Sequence, residues 1–209
     1  MEIVYLVLLG LISYLSGSFP SAFVVVKVFT GKNVMEHGTH NVGTMNTHRT
    51  TGNKPLTILV LLLDLAKGYL PFYLASIWGG WFAIGSDQNT IYLIAGLFAI
   101  LGHNYSIFLK FKGGKGLATG AGFLLGLAPA LILAWCAVWV FILVTTQYSV
   151  LGQLVASALV PLYSWFWARD YFWVSIAIAV PIVVKHAPRM KGVFAGKEPK
   201  MYFTEKGEK

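Results

Sequence analysis

From Lys110 to Gly116 the chain reads KFKGGKG, three lysines and three glycines in seven residues, directly before an apolar run. Successive glycines free the backbone to aim several N–H groups at one anion, and a helix starting at Gly116-Leu117 would turn its positive dipole end to the same place. Lys112 and Lys115 would add point charges, with Gly113, Gly114 and Gly116 supplying the mobile backbone. Together these residues have the chemistry of a phosphate site. They do not form a Walker A loop, because neither Ser nor Thr follows the Gly-Lys pair and an apolar helix follows it directly. A basic cytoplasmic turn would carry the same lysines for topology alone.

A second cluster, EHGTHNVGTMNTHR from Glu36 to Arg49, is rich in Gly, Thr, Asn and His. Thr39, Asn41 and Asn46 can hydrogen-bond phosphate oxygens, Gly43 permits close backbone approach, and Arg49 can grip an anion bidentately. An ordinary polar loop has the same composition. His37, His40 and His48 lack the paired cysteines or carboxylates of a zinc site, so no metal is expected, nor any organic cofactor. His103, after Gly102, reads equally as a substrate hydrogen-bond donor or a satisfied interfacial histidine.

The elements that must carry these residues are membrane helices. Of 209 residues, 56% are hydrophobic and 11% charged, with a mean hydropathy of +0.67, too little polar surface to cover a soluble globule. Ile3 to Val26, Pro55 to Trp78 and Thr90 to Leu109 are each long enough to span about 30 Å of hydrocarbon. Glu2 stands where a cleaved signal peptide would have a basic region, so the first segment reads as a retained helix. Gly116 to Ala168 carries no formal charge, and three passes through it, broken at Ala128-Pro129 and Thr145-Thr146-Gln147, leave fifteen of the sixteen Lys and Arg inside or within a helix. Two passes would put the lysine-rich tail outside.

With a last helix from Tyr171 to Val184, the expectation is an all-α integral membrane protein of seven transmembrane helices in a single domain spanning residues 1–209. Its N-terminus is outside, its C-terminus cytoplasmic, and both polar clusters share the cytoplasmic face. A re-entrant helix over Leu117 to Ala128 keeps the same parity. The net charge of +8 then reports loop orientation and not nucleic acid. Asp64 and Lys67, three apart on one helix, are expected to pair, either as a structural link or beside a ligand. Trp78, Trp81, Trp165, Trp167 and Tyr171 near segment ends read as an interfacial belt. Composition also suits a small-anion transporter or a lipid-binding protein, but no inverted repeat supports transport.

Four stretches resemble the bacterial acyl-phosphate-dependent glycerol-3-phosphate acyltransferases: GSFP at Gly17 to Pro20, HGTHNVGTMNTHR at His37 to Arg49, LLLDLAKG at Leu61 to Gly68, and GHNYSIFLKFKGGKGLAT at Gly102 to Thr119. The resemblance implies a small inner-membrane enzyme with seven helices and a cytoplasmic active site. It implies acyl phosphate and glycerol 3-phosphate as substrates, 1-acyl-glycerol 3-phosphate and phosphate as products, and the first acylation of phospholipid synthesis. Lys115 and Arg49 carry the catalytic expectation. Thr39, Asn41, Gly43, Asn46, His103, Lys112, Gly113, Gly114, Gly116 and Arg189 carry the substrate-binding one, with Asp64 and Lys67 in support. The chain departs from the family pattern at His40 and Ser106 (glycine and proline there), Met45 (threonine), Gln147 (arginine), Ala187 (arginine) and Arg189 (asparagine).

Overall fold

The computed structural model describes residues 1–82 and 85–200, without side chains at 80–82. Ten α-helices account for most of them: α1 Glu2–Ser18, α2 Ser21–Thr30, α3 Thr44–Thr51, α4 Lys54–Phe82, α5 Gln88–Asn104, α6 Leu117–Leu127, α7 Pro129–Thr146, α8 Ser149–Trp167, α9 Phe172–His186 and α10 Met190–Phe194. Six segments are long and apolar enough to cross a membrane: Glu2–Thr30, Lys54–Gly79, Gln88–Leu109, Pro129–Thr146, Ser149–Trp167 and Arg169–Phe194. The segment expected to add a seventh pass, α6, has 11 residues, about 16 Å of rise against about 30 Å of hydrocarbon.

The expected breaks in the charge-free block are present. Ala128 leaves helical geometry ahead of Pro129, which starts α7 where its missing N–H costs nothing, and Gln147 ends α7 in the left-handed region. The first segment differs from the continuous helix expected of it. It breaks at Phe19-Pro20, since Pro20 has no N–H to continue the ladder. The carbonyls at the break find partners: Phe19 O accepts from Lys67 Nζ at 2.9 Å and Ser18 O from Ser106 Oγ at 2.6 Å. Thus GSFP is a built discontinuity whose polar backbone is satisfied from two other elements.

Close helix contact rests on small residues. A Cβ at Gly17 would strike the Ala99 carbonyl, and one at Gly102 the Tyr14 carbonyl, so α1 and α5 meet backbone to backbone. Gly68 and Gly122 do the same for α4 and α6, against Thr119 and Leu65. Lipid gives helices no hydrophobic reason to associate, so such contact supplies dispersion energy in its place. α9 lies against α5 and α8, and α7 against α8. Leu9, Ile91, Ile100, Phe123, Val160 and Ile178 fill the main core, and a second cluster of Val26, Val34, Val42 and Val60 sits beneath the first polar loop.

The aromatic expectations divide. Trp165 and Trp167 are exposed as a belt requires, whereas Trp78 is buried with the main core and Tyr171 packs on it. The side chain of Trp81 lies outside the described residues.

Candidate active site

The two polar clusters meet at one end of a cavity of about 390 Å³. Thr39, Asn41, Gly43, Asn46 and Arg49 reach it from the first cluster, His103 from the end of α5, Lys115 from the glycine loop, and His186, Arg189 and Glu198 from the C-terminal side. Beyond this mouth the lining turns apolar, with Leu65 of α4, Leu124 of α6, Ile132 and Trp135 of α7, Val160 of α8 and Ile178 of α9. A charged head and an apolar tail could occupy the same space.

Asn46, on the first turn of α3, has every polar atom of its side chain engaged. Its Nδ2 donates to the carbonyls of Val34, His37 and Asn41 at 2.8, 3.0 and 2.8 Å, and its Oδ1 accepts from the Thr39 amide at 2.8 Å and hydroxyl at 3.2 Å. With 2% exposure it is the hub that folds the loop, and what it presents to the cavity is the loop's shape. Asn41 and His103 stand differently: Asn41 Oδ1 and His103 Nδ1 are buried without a hydrogen-bond partner. Buried groups of this kind ordinarily have one, and both residues lie on the cavity lining.

The glycine loop works otherwise than its composition suggests. Lys115 faces the cavity, but Lys112 is exposed and lies off its lining, as do Gly113, Gly114 and Gly116. The glycines let the loop lie on the end of α5. The Gly114 amide donates to the His103 carbonyl at 2.9 Å, and a Cβ at Gly113 would hit that carbonyl. Gly116, at φ +79°, is left-handed, the conformation that turns the chain into α6. Preceding it, Lys110 and Phe111 are also left-handed, at φ +53° and +61°.

Electrostatically the mouth is positive. Among the described residues the ion pairs are Asp64 with Lys67 and Arg189 with Glu198, which leaves Arg49 and Lys115 without a carboxylate. Burial, then the Arg189 and Arg49 guanidiniums, pull the Lys115 ammonium down to about 7 from its ordinary 10.5. An anion arriving there restores the charge. His186 is 1% exposed, with Nδ1 2.8 Å from the Ile182 carbonyl, so that nitrogen is the donor and Nε2 is left as an acceptor.

Asp64 and Lys67 pair at 2.8 Å on α4, and Lys67 also holds Phe19 O. Asp64 lines the cavity, so one pair links the α1–α2 break to the cavity wall. Sequence reasoning left His186 and Glu198 out of the site set, and it missed Trp135, Trp139, Ser149, Gln153 and Ser157, all on the lining. The last three recur every four residues along α8, a signal that was available. Among the described residues no group of three His, Cys, Asp or Glu could hold a metal ion.

Known proteins resemble this chain in sequence and in fold. A family model described as glycerol-3-phosphate acyltransferase matches residues 7–196. A glycerol-3-phosphate acyltransferase of Staphylococcus saprophyticus is 38% identical over 203 residues, 94% of this chain and 98% of the relative. One from Fusobacterium nucleatum is 34% identical over 197 residues, covering 92% and 96%. The fold superposes with a TM-score of 0.80 on crystal structures of PlsY (YgiH), an integral membrane glycerol 3-phosphate acyltransferase. Its glycerol 3-phosphate form is 30% identical, covering 94% of this chain and 96% of that one, and its lysophosphatidic acid form is 29% identical, covering 94% and 95%. With a family match over most of its length, and relatives above 30% identity covering nearly all of it, this chain belongs to the glycerol-3-phosphate acyltransferase family.

Proposed function

We propose that this chain transfers an acyl group from acyl phosphate to glycerol 3-phosphate, giving 1-acyl-glycerol 3-phosphate and inorganic phosphate, the first acylation of phospholipid synthesis. The carrying observation is the cavity itself. Arg49, Lys115 and Arg189 line one end and apolar side chains of membrane helices line the rest, so one space offers cations to phosphates and an apolar wall to an acyl chain. The PlsY structures named for glycerol 3-phosphate and lysophosphatidic acid support the acceptor and the product class.

An acyl phosphate is already activated, so the chemistry asks mainly for positioning and charge stabilisation. The acceptor hydroxyl attacks the acyl carbon, the bond from that carbon to the phosphate oxygen breaks, and the hydroxyl proton ends on the departing phosphate. Lys115 and Arg49 bind the phosphates and balance the negative charge that grows on the leaving group. Asn41 and His103, both on the cavity lining, orient them. Asn46 and Thr39 hold the loop that carries Asn41, while Lys67 and Asp64 fix the wall behind it. Arg189, paired with Glu198, is the third cation at the mouth.

Charge parity supports seven passes in the cell inner membrane, with the N-terminus outside and both the mouth and the C-terminus cytoplasmic; α6 makes its short pass beside the cavity. In purified protein given acyl phosphate and glycerol 3-phosphate, phosphate and lysophosphatidic acid should form together. Arg49→Ala and Lys115→Ala should each lower kcat/KM by about 10²–10³. Unchanged turnover in both variants would remove these residues from the site.

A further inference from the structure

In the apolar limb, the α7–α8 wall sets two indoles among its aliphatic side chains. Trp135 and Trp139, one turn apart on α7, stack with centroids 5.8 Å apart and planes 18° from parallel. Each indole is tethered to α8: Trp135 Nε1 donates to Ser157 Oγ at 3.0 Å and Trp139 Nε1 to Ser149 Oγ at 3.3 Å, while Gln153 Nε2 braces Ser149 at 3.2 Å. Gly152 makes the room, since a Cβ there would lie 3.0 Å from both the Trp139 ring and its carbonyl.

Ser149, Gln153 and Ser157, four residues apart, form a polar stripe on one face of α8, and all three line the cavity with the two indoles. Polar groups inside a membrane bundle are costly unless they are used, and here they lock two large rings in place. The stacked pair also has depth. Trp139 meets the first turn of α8, at the end nearer the mouth, and Trp135 meets it two turns further in, towards Ile132, Val160 and Ile178, where the cavity runs into the packed core. Outward, Leu133, Val140, Phe141 and Val144 of α7 are exposed, so the tethers to α8 hold the rings while the rest of α7 faces lipid.

We propose that the tethered Trp135–Trp139 stack is the gauge that sets acyl-chain length at this site. The proposal rests on the acyltransferase reading above. An aliphatic wall can shift its rotamers for a longer chain, whereas an indole held by a hydrogen bond and a stacked neighbour cannot. A methylene too many in such a pocket discriminates by about tenfold or more.

The test uses the full-length protein in lipid nanodiscs with a graded series of saturated acyl phosphates. The wild-type protein should show one optimum of kcat/KM against chain length. Trp135→Ala should move that optimum to longer chains and change the ratio of longer to wild-type-optimal donor by about tenfold. Ser157→Ala, which keeps the ring and removes its tether, should broaden the profile. KM for glycerol 3-phosphate is the control readout, because a general structural defect would move it and a gauge would not. If Trp135→Ala does not fold, Trp135→Leu takes its place beside Ser157→Ala. Profiles that superimpose on the wild type while turnover persists would overturn the gauge alone. A folded wild-type protein that uses none of the acyl phosphates would overturn the functional reading and the gauge with it.

Discussion

Gly114 lies directly against the ring of His103, its amide donating to the His103 carbonyl at 2.9 Å. The contact makes the glycine loop and the end of α5 one unit at the cavity that His103 lines. A methyl at Gly114 would collide with the imidazole. Gly114→Ala should therefore cost about 1–3 kcal/mol of stability, read from thermal unfolding in detergent, and displace His103. In the protein that remains folded, activity should fall. A fully active, equally stable variant would show that this packing is dispensable.

Asn46 is a positioning residue, because its amide closes the loop from within. Asn46→Asp replaces a donor facing three carbonyls with an acceptor, and should lose as much activity as Asn46→Ala. Exchange protection across residues 34–46 should collapse in both. If protection stayed at wild-type levels and only KM for glycerol 3-phosphate rose, Asn46 would be a direct ligand contact.

Lys115 should make phosphate binding depend on pH. The ligand-free ammonium, held down to about 7 by burial and two arginines, is largely neutral above that pH, and a bound phosphate returns it to the charged form. Binding then takes up a proton. Above about pH 7, where a phosphate ester is dianionic, affinity should fall by up to about tenfold per pH unit. Lys115→Arg stays charged throughout this range and should flatten the slope. A wild-type binding isotherm independent of pH between 7 and 9 would place the charge elsewhere.

His40 occupies a left-handed backbone position, φ +53°, the region that favours glycine. Its Nδ1 lies 3.0 Å from the Met35 carbonyl, which offsets part of the strain. Because the position is strained for any residue with a Cβ, His40→Gly should raise stability by about 1 kcal/mol or less, with activity kept. Differential thermal unfolding would check the sign.

Orientation can be read by labelling single cysteines after replacing Cys136 with alanine. Ser86→Cys should react with an impermeant reagent from outside, and Lys110→Cys and Lys197→Cys only from the cytoplasmic side. Ala130→Cys, just after α6, should react from outside if α6 crosses. Protection of that site from both sides would instead make α6 and α7 a re-entrant pair.

The amino-acid sequence by itself determined the membrane class, the division of residues 117–186 into three apolar helices and a final one, and the placing of the clusters around Arg49 and Lys115 on loops of the same parity. These follow from hydropathy, proline chemistry and charge asymmetry, which are local or additive properties. Side-chain direction is neither. Lys112 and Lys115 are alike in a string of letters, yet the left-handed turns at Lys110 and Phe111, and the docking of Gly114 on His103, send one to the surface and the other into the cavity. Asn46 has the chemistry of a phosphate ligand, but three carbonyls 5 to 12 residues away claim its amide. Only the tertiary structure set Trp135 against Ser157, 22 residues apart, because that hydrogen bond exists only once α7 and α8 lie side by side.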